Sequence, residues 1–316
     1  MKKSTKYMLA GLGAAAFGVS AGMGIGGYIS FLVGIKNTEK AKNKAIELSQ
    51  TQDNNALNVE WFNNLEPEEI SMLSDDGLQL RASFLRQPEE KQAKKTVILA
   101  HGYHHARMQM IPYAKIFYSM GYNVLMPDAR SHGESEGNLI GFGWLDRRDY
   151  VRWVQRAVLL THSDEKVVLM GISMGAATVI SAAGEPDIAA NLAAVIEDSS
   201  FNRLDKQFRH RLKRYYHLPS QEFESIASAF TKKEAGYSFK EANIQEQVKK
   251  IRVPIMFIHG EADRYVPIEM LDDLVEAARV PSQVYLVDRA DHVQALPTNP
   301  RRYQEEVASF LEKFVD

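Results

Sequence analysis

The chain has no cysteine, which excludes disulfides, thiolate nucleophiles and cysteine-ligated metals together. Net charge is almost as scarce. Lys and Arg number 38 against 40 Asp and Glu, a formal charge of -2, so nothing in the totals draws the chain to nucleic acid or another polyanion, and no nucleic-acid partner is expected. Internal repeats and low-complexity tracts are missing as well. With 316 residues, 45% of them hydrophobic, the chain has the material for a sizeable core.

Charge is also missing from one long stretch. After Lys2, Lys3 and Lys6, the run from Tyr7 to Ile35 carries no ionisable acid or base and exceeds the ~20 residues a helix needs to cross a bilayer. Residues 1–35 are therefore read as an amino-terminal membrane anchor. A cleaved signal peptide is the rival, with Val19-Ser20-Ala21 as its small-residue cleavage site, but the apolar run continues through Phe31, Leu32 and Val33. Gly18, Gly22 and Gly26 have the spacing of a close helix–helix contact, although glycine is common in membrane helices anyway. The short tail before the run suggests a single-pass protein with its main domain outside the cytoplasm. Residues 36–55 turn polar and are expected to form a stalk, leaving 56–316 as the main domain.

That domain opens on two short runs around Asp75-Asp76-Gly77, an Asp-Gly hairpin signal. Six short, nearly continuous apolar runs follow: Thr96 to Gly102, Tyr122 to Asp128, Lys166 to Ser173, Leu192 to Ser200, Val253 to Gly260 and Ser282 to Asp288. Such runs suit parallel strands buried on both faces. Helical patterns separate them at Pro112 to Met120, Trp144 to Leu160, Met174 to Ala183, Ile268 to Arg279 and Arg301 to Phe314. The alternation predicts an α/β fold with a mostly parallel central sheet and helices on both faces. The interval between Asp198 and Val253 is too long for a plain crossover, and a small helical cap is expected at about 200–250.

At the end of the third apolar run stands Gly171-Ile172-Ser173-Met174-Gly175. Glycines flanking a serine between a strand and a helix permit a sharp turn that lifts the hydroxyl above the sheet. A plain structural turn is the alternative for the pentapeptide alone. A serine hydroxyl needs a base, and the base a carboxylate that fixes its tautomer. His292 follows the last predicted strand and Asp263 the one before it, so serine, acid and histidine fall at three strand ends in the chain order such a sheet carries them. Glu261 and Asp198 are rival acids. His101 and His259 are read as structural, and the cluster His101, His104 and His105 lacks the carboxylate spacing of a zinc motif; no metal or cofactor is expected. The backbone N–H groups of Tyr103 and Met174 are the candidates for holding an oxyanion.

The stretches "LAHGYHHARMQM", "GYNVLMPDARSHGESEG", "LMGISMGAATVI", "IMFIHGEADRYVP" and "RADHVQA" together resemble the α/β-hydrolase superfamily, in particular bacterial serine hydrolases described as membrane-bound or cell-surface. The resemblance spans roughly Val59 to Asp316. It implies Ser173 as nucleophile, His292 as general base, Asp263 as its orienting acid, Tyr103 and Met174 as the oxyanion hole, and a small-molecule ester or other acyl compound as substrate. A serine peptidase, lipase or thioesterase on the same fold, or a non-catalytic binding module, is the alternative. The loop Asp128-Ala129-Arg130-Ser131-His132-Gly133 matches a D-x-R-x-H-G element of the family that is usually structural. Within the cap, Phe201 to Leu218 reads as a basic amphipathic helix that either lies on an anionic surface or covers the pocket with its apolar face.

Overall fold

The structure is a computed structural model that describes residues 25–51, 56–89, 94–161 and 166–315. Eight strands form its sheet: β1 (Glu68–Leu73), β2 (Gln79–Leu85), β3 (Lys95–Ala100), β4 (Asn123–Pro127), β5 (Lys166–Ile172), β6 (Leu192–Asp198), β7 (Ile255–Gly260) and β8 (Ser282–Val287). Their spatial order is β1-β2-β4-β3-β5-β6-β7-β8. The β1–β2 hairpin is antiparallel and pairs antiparallel onto β4, while every pair from β4 to β8 is parallel. Gly77 turns the hairpin at φ +88, a left-handed conformation that glycine adopts without strain.

Alternate side chains of the central strands enter opposite layers, as the two-residue pleat requires. Ile98, Leu125, Leu169 and Val195 pack on one face with α5 (Asp146–Leu160), α6 (Met174–Ala183) and α10 (Ile268–Ala277). Val97, Val124, Val168 and Ile196 pack on the other with α3 (Ala56–Asn64), α4 (Ile111–Ser119) and α12 (Pro300–Phe314). The last helix shows why these segments are helical. Asn299 caps it by accepting from the Arg302 N–H, Pro300 opens it, and Tyr303, Val307, Phe310 and Leu311 line one buried face.

Between β6 and β7 lie α7 (Leu204–Tyr216), α8 (Ser220–Ala235) and α9 (Ile244–Val248). The first two pack on each other; the third packs on α6 and α10 and so belongs to the sheet's helical layer. In α7, Leu204, Phe208 and Leu212 are buried, whereas much of the basic face is neutralised within the protein. Arg203 and Arg209 pair with Asp205, and Lys206 with Asp273.

Only the end of the expected anchor, residues 25–35, is described. Among the described residues no helix is long and apolar enough to cross a membrane. Helical residues 25–34, here α1, lie against the cap: Phe31 and Ile35 are fully buried, and the Tyr28 and Phe31 rings approach Phe230 at 4.9 and 6.0 Å. These residues close the predicted membrane run: Phe31 and Ile35 are covered by protein, while Ile25, Ile29 and Val33 are exposed. A side chain at Gly26 would strike the Phe223 ring and one at Gly27 would strike Ile226, so Gly26 serves a contact within the chain. Tyr7 to Gly24, with the Val19-Ser20-Ala21 site, Gly18 and Gly22, lies outside the described residues.

The predicted stalk does not lift the domain. Its helix α2 (Glu39–Thr51) is laid along the loops above the sheet, because its polar groups meet loop backbone in place of water. Asn37 and Lys42 donate to the carbonyls of Ser131 and Ser135, and the Ser49 hydroxyl accepts from the Ala106 N–H. Gly27→Leu is expected to weaken the docking of α1 by about 1–3 kcal/mol through overpacking, seen as faster limited proteolysis between α1 and α2 with the main unfolding transition retained.

Candidate active site

Ser173 sits where β5 ends and α6 begins, with φ +54 and ψ -115, a left-handed backbone uncommon for a residue with a side chain. The flanking glycines make that turn feasible. A β-carbon at Gly171 would collide with the Gly175 carbonyl, and one at Gly175 with the carbonyls of Ala100 and His101. The turn is pinned by the Ser173 N–H donating to the Asp198 carbonyl at 2.8 Å.

His292 lies on the loop after β8. Its Nδ1 is 2.7 Å from Asp263 Oδ2 and its Nε2 is 2.8 Å from Ser173 Oγ. A carboxylate can only accept, so Nδ1 carries the proton and Nε2 accepts from the serine hydroxyl. Asp263 is buried, and its Oδ1 accepts the N–H groups of Tyr265 and Val266, both at 2.8 Å. These bonds hold the second oxygen toward the imidazole. The Tyr265 ring stands 4.6 Å from the His292 ring and limits its rotation.

The rival acids lie elsewhere. Glu261 is exposed in the turn after β7. Asp198 is fully buried but accepts from the hydroxyls of Ser199 and Tyr303. Burial raises its pKa to about 6, against the pull of those two hydroxyls. His259 donates from Nε2 to the Val266 carbonyl, and burial lowers its pKa, so it stands as a neutral support beneath Asp263. The adjacent histidines do not converge: His101 donates from Nδ1 to its neighbour Gly102 and accepts from the Ala129 N–H at Nε2. Among the described residues no three metal-ligating side chains gather.

Tyr103 and Met174 flank the serine from two sides. The β-carbon position of Gly102 lies 3.8 Å from that of Ser173, and neither the Tyr103 nor the Met174 N–H is engaged by another described group. Gln109 is the residue that sequence reasoning passed over. Its Oε1 accepts from the Gly102 N–H at 2.8 Å and so fixes the loop that presents Tyr103; a lone glutamine on a short helical turn carries no pattern to announce this. The D-x-R-x-H-G loop is bound into the domain. Asp128 accepts from the Arg107 guanidinium and from the N–H groups of Arg107 and Glu134, while Arg130 grips Asp149 and Asp76. The serine, the histidine, Gly102, Tyr103, Gln109 and Tyr265 all line an open cavity of about 1130 Å³.

A mostly parallel sheet with a serine on a strained strand-to-helix turn, and an acid and a histidine at later strand ends, defines a protein of the α/β-hydrolase fold. The chain belongs to the alpha/beta hydrolase family, whose model matches residues 97–308. It is 30% identical over 221 residues to the uncharacterized protein YqkD of Bacillus subtilis (strain 168), covering 70% of this chain and 72% of that one. To the uncharacterized protein YfhR of Escherichia coli (strain K12) it is 25% identical, over 77% of this chain and 80% of the other. The fold is shared with the Pyrococcus furiosus esterase Pf2001, at TM-score 0.64 and 24% identity, covering 80% of this chain and 93% of that one. It is shared also with the esterase domain of a Rhodothermus marinus protein, at TM-score 0.55 and 19% identity, covering 79% and 100%. The protein is a hydrolase by family.

Asp263→Asn is expected to lower kcat by about 10⁴ through loss of the correct imidazole tautomer, whereas Asp198→Asn leaves kcat in the range of the parent. Between about pH 4 and pH 6 the folded state binds more protons at Asp198 than the unfolded chain does, so this group's contribution to stability falls as pH rises. The slope of urea-unfolding stability against pH should therefore be more positive in Asp198→Asn than in the parent across that range.

Proposed function

We propose that the protein is a serine hydrolase that cleaves carboxylic esters through an acyl-enzyme. The observation that carries this reading is the unbroken hydrogen-bonded chain from Asp263 through His292 to Ser173, ending on a hydroxyl that faces the cavity. The hydroxyl attacks the ester carbonyl while His292 Nε2 takes its proton. The negative charge that develops on the carbonyl oxygen is met by the N–H groups of Tyr103 and Met174, already unengaged and backed by the first turn of α6. His292 then protonates the departing alkoxide, and later takes a proton from the water that releases the acid. Asp263 stabilises the imidazolium without accepting its proton. The Pyrococcus and Rhodothermus neighbours are an esterase and an esterase domain, in agreement with an ester substrate.

Membrane attachment belongs to the same proposal, as does the likeness to cell-surface hydrolases. It is supported by the uncharged stretch from Tyr7 to Gly24 behind three lysines, and retention of the full chain in carbonate-washed membranes tests it.

Turnover of p-nitrophenyl esters should fall by at least about 10³ in Ser173→Ala, and a fluorophosphonate should label the parent but not this variant. Equal turnover by both chains would sink the scheme.

A further inference from the structure

A second cavity, of about 330 Å³, lies between α1 and the cap, within the range of built small-molecule sites. Its walls are apolar: Ile29 and Val33 from α1, Phe208 and Leu212 from α7, and Phe223 from α8. The α1 wall lies outside the residues matched by the family model. Arg211 also lines this cavity, together with Tyr103, whose ring borders the catalytic cavity too.

Arg211 is held in an unusual way. Its guanidinium carbon lies 4.7 Å from the centre of the Tyr265 ring and 5.5 Å from that of Tyr103, so the cation rests on two aromatic faces. It forms no ion pair with a carboxylate among the described residues, and its Nε is buried without a hydrogen-bond partner. This contrasts with Arg203, which precedes the same helix, and Arg209 on it, both paired with Asp205. Among the described residues no carboxylate pairs with Arg211. His104, its ring tilted against that of Tyr103 with centroids 3.9 Å apart, is kept neutral, its pKa lowered to about 4 by burial and by Arg211 itself. A planar guanidinium whose Nε has no hydrogen-bond partner, at the edge of an apolar pocket, fits a carboxylate that carries an aliphatic chain.

We propose that this cavity binds an aliphatic carboxylate, its chain between α1 and the cap and its head group on Arg211. The source of that ligand is the acid released when an ester is cleaved at Ser173, and this last step rests on the esterase reading above. The pocket lies one tyrosine ring away from the oxyanion loop, so the released acid has a place beside the site where it forms.

The test uses the full chain carrying Ser173→Ala, which removes turnover from the measurement. The probe is a dodecanoate with a photoreactive diazirine at the far end of its chain, and its adducts are mapped by mass spectrometry. Adducts are expected on peptides holding Ile29, Val33, Leu212 or Phe223, displaced by dodecanoate about tenfold or more better than by dodecanol, because a hydrogen bond to a charged group is at stake. Each methylene removed from the competitor should weaken it about fourfold. Arg211→Gln should abolish the preference for the acid over the alcohol, and Arg211→Lys should restore much of it. Equal competition by acid and alcohol, adducts away from the cavity, or an unchanged preference in a folded Arg211→Gln chain would overturn the site. Retained labelling alongside a parent chain that hydrolyses no ester upholds the site and overturns the source assigned to its ligand.

Discussion

The active site depends on how closely the first turn of α6 approaches the end of β3. At Gly175 the helix backbone meets the carbonyls of Ala100 and His101 with no room for a β-carbon, and at Gly171 the strand folds back against Gly175. That crossing forces Ser173 into its left-handed backbone. The strain is sustained because the sheet over-determines the turn: β5 is paired with β3 on one side and β6 on the other, and the Asp198 carbonyl holds the serine N–H. The same approach brings the loop after β3, with Gly102 and Tyr103, against the serine. The Ser173 hydroxyl and the N–H groups of Tyr103 and Met174 are thus placed together by one backbone contact.

Around this fixed centre the remaining parts are added from later strand ends. Asp263 and His292 arrive on the loops after β7 and β8, and each is held by backbone and ring contacts before any substrate is present. The electrostatics follow from burial. Of the carboxylates near the serine, Asp198 is pushed toward neutrality by burial and capped by two hydroxyls, while Asp263 receives two amide donors and the imidazole. Two acids close in space thereby take different parts.

Much of this was legible in the sequence because parallel strands buried on both faces leave continuous apolar runs, and all six such runs became strands. The glycines around Ser173 and the chain order of Asp263 and His292 were legible for a similar reason: few backbones need those residues at those places. What escaped were contacts between distant segments whose composition admits more than one partner. The apolar face of α1 reads the same whether lipid or the cap covers it. The polar side chains of α2 read as solvated until the loop carbonyls that receive Asn37 and Lys42 are in view. Gln109 and Arg211 act through single tertiary contacts that leave no periodicity, and Arg211 is hidden further by the basic residues around it.

The Tyr103 hydroxyl donates to the Gly34 carbonyl at 2.8 Å, while the residue lines the cavity beside Ser173. One residue thus joins the last turn of α1 to the loop after β3 that borders Ser173. In mechanical terms, this residue is a tie-rod. The Ala106 N–H, donating to Ser49 of α2, anchors the same loop a second time, so the loop is clasped by the amino-terminal segment at both of its ends.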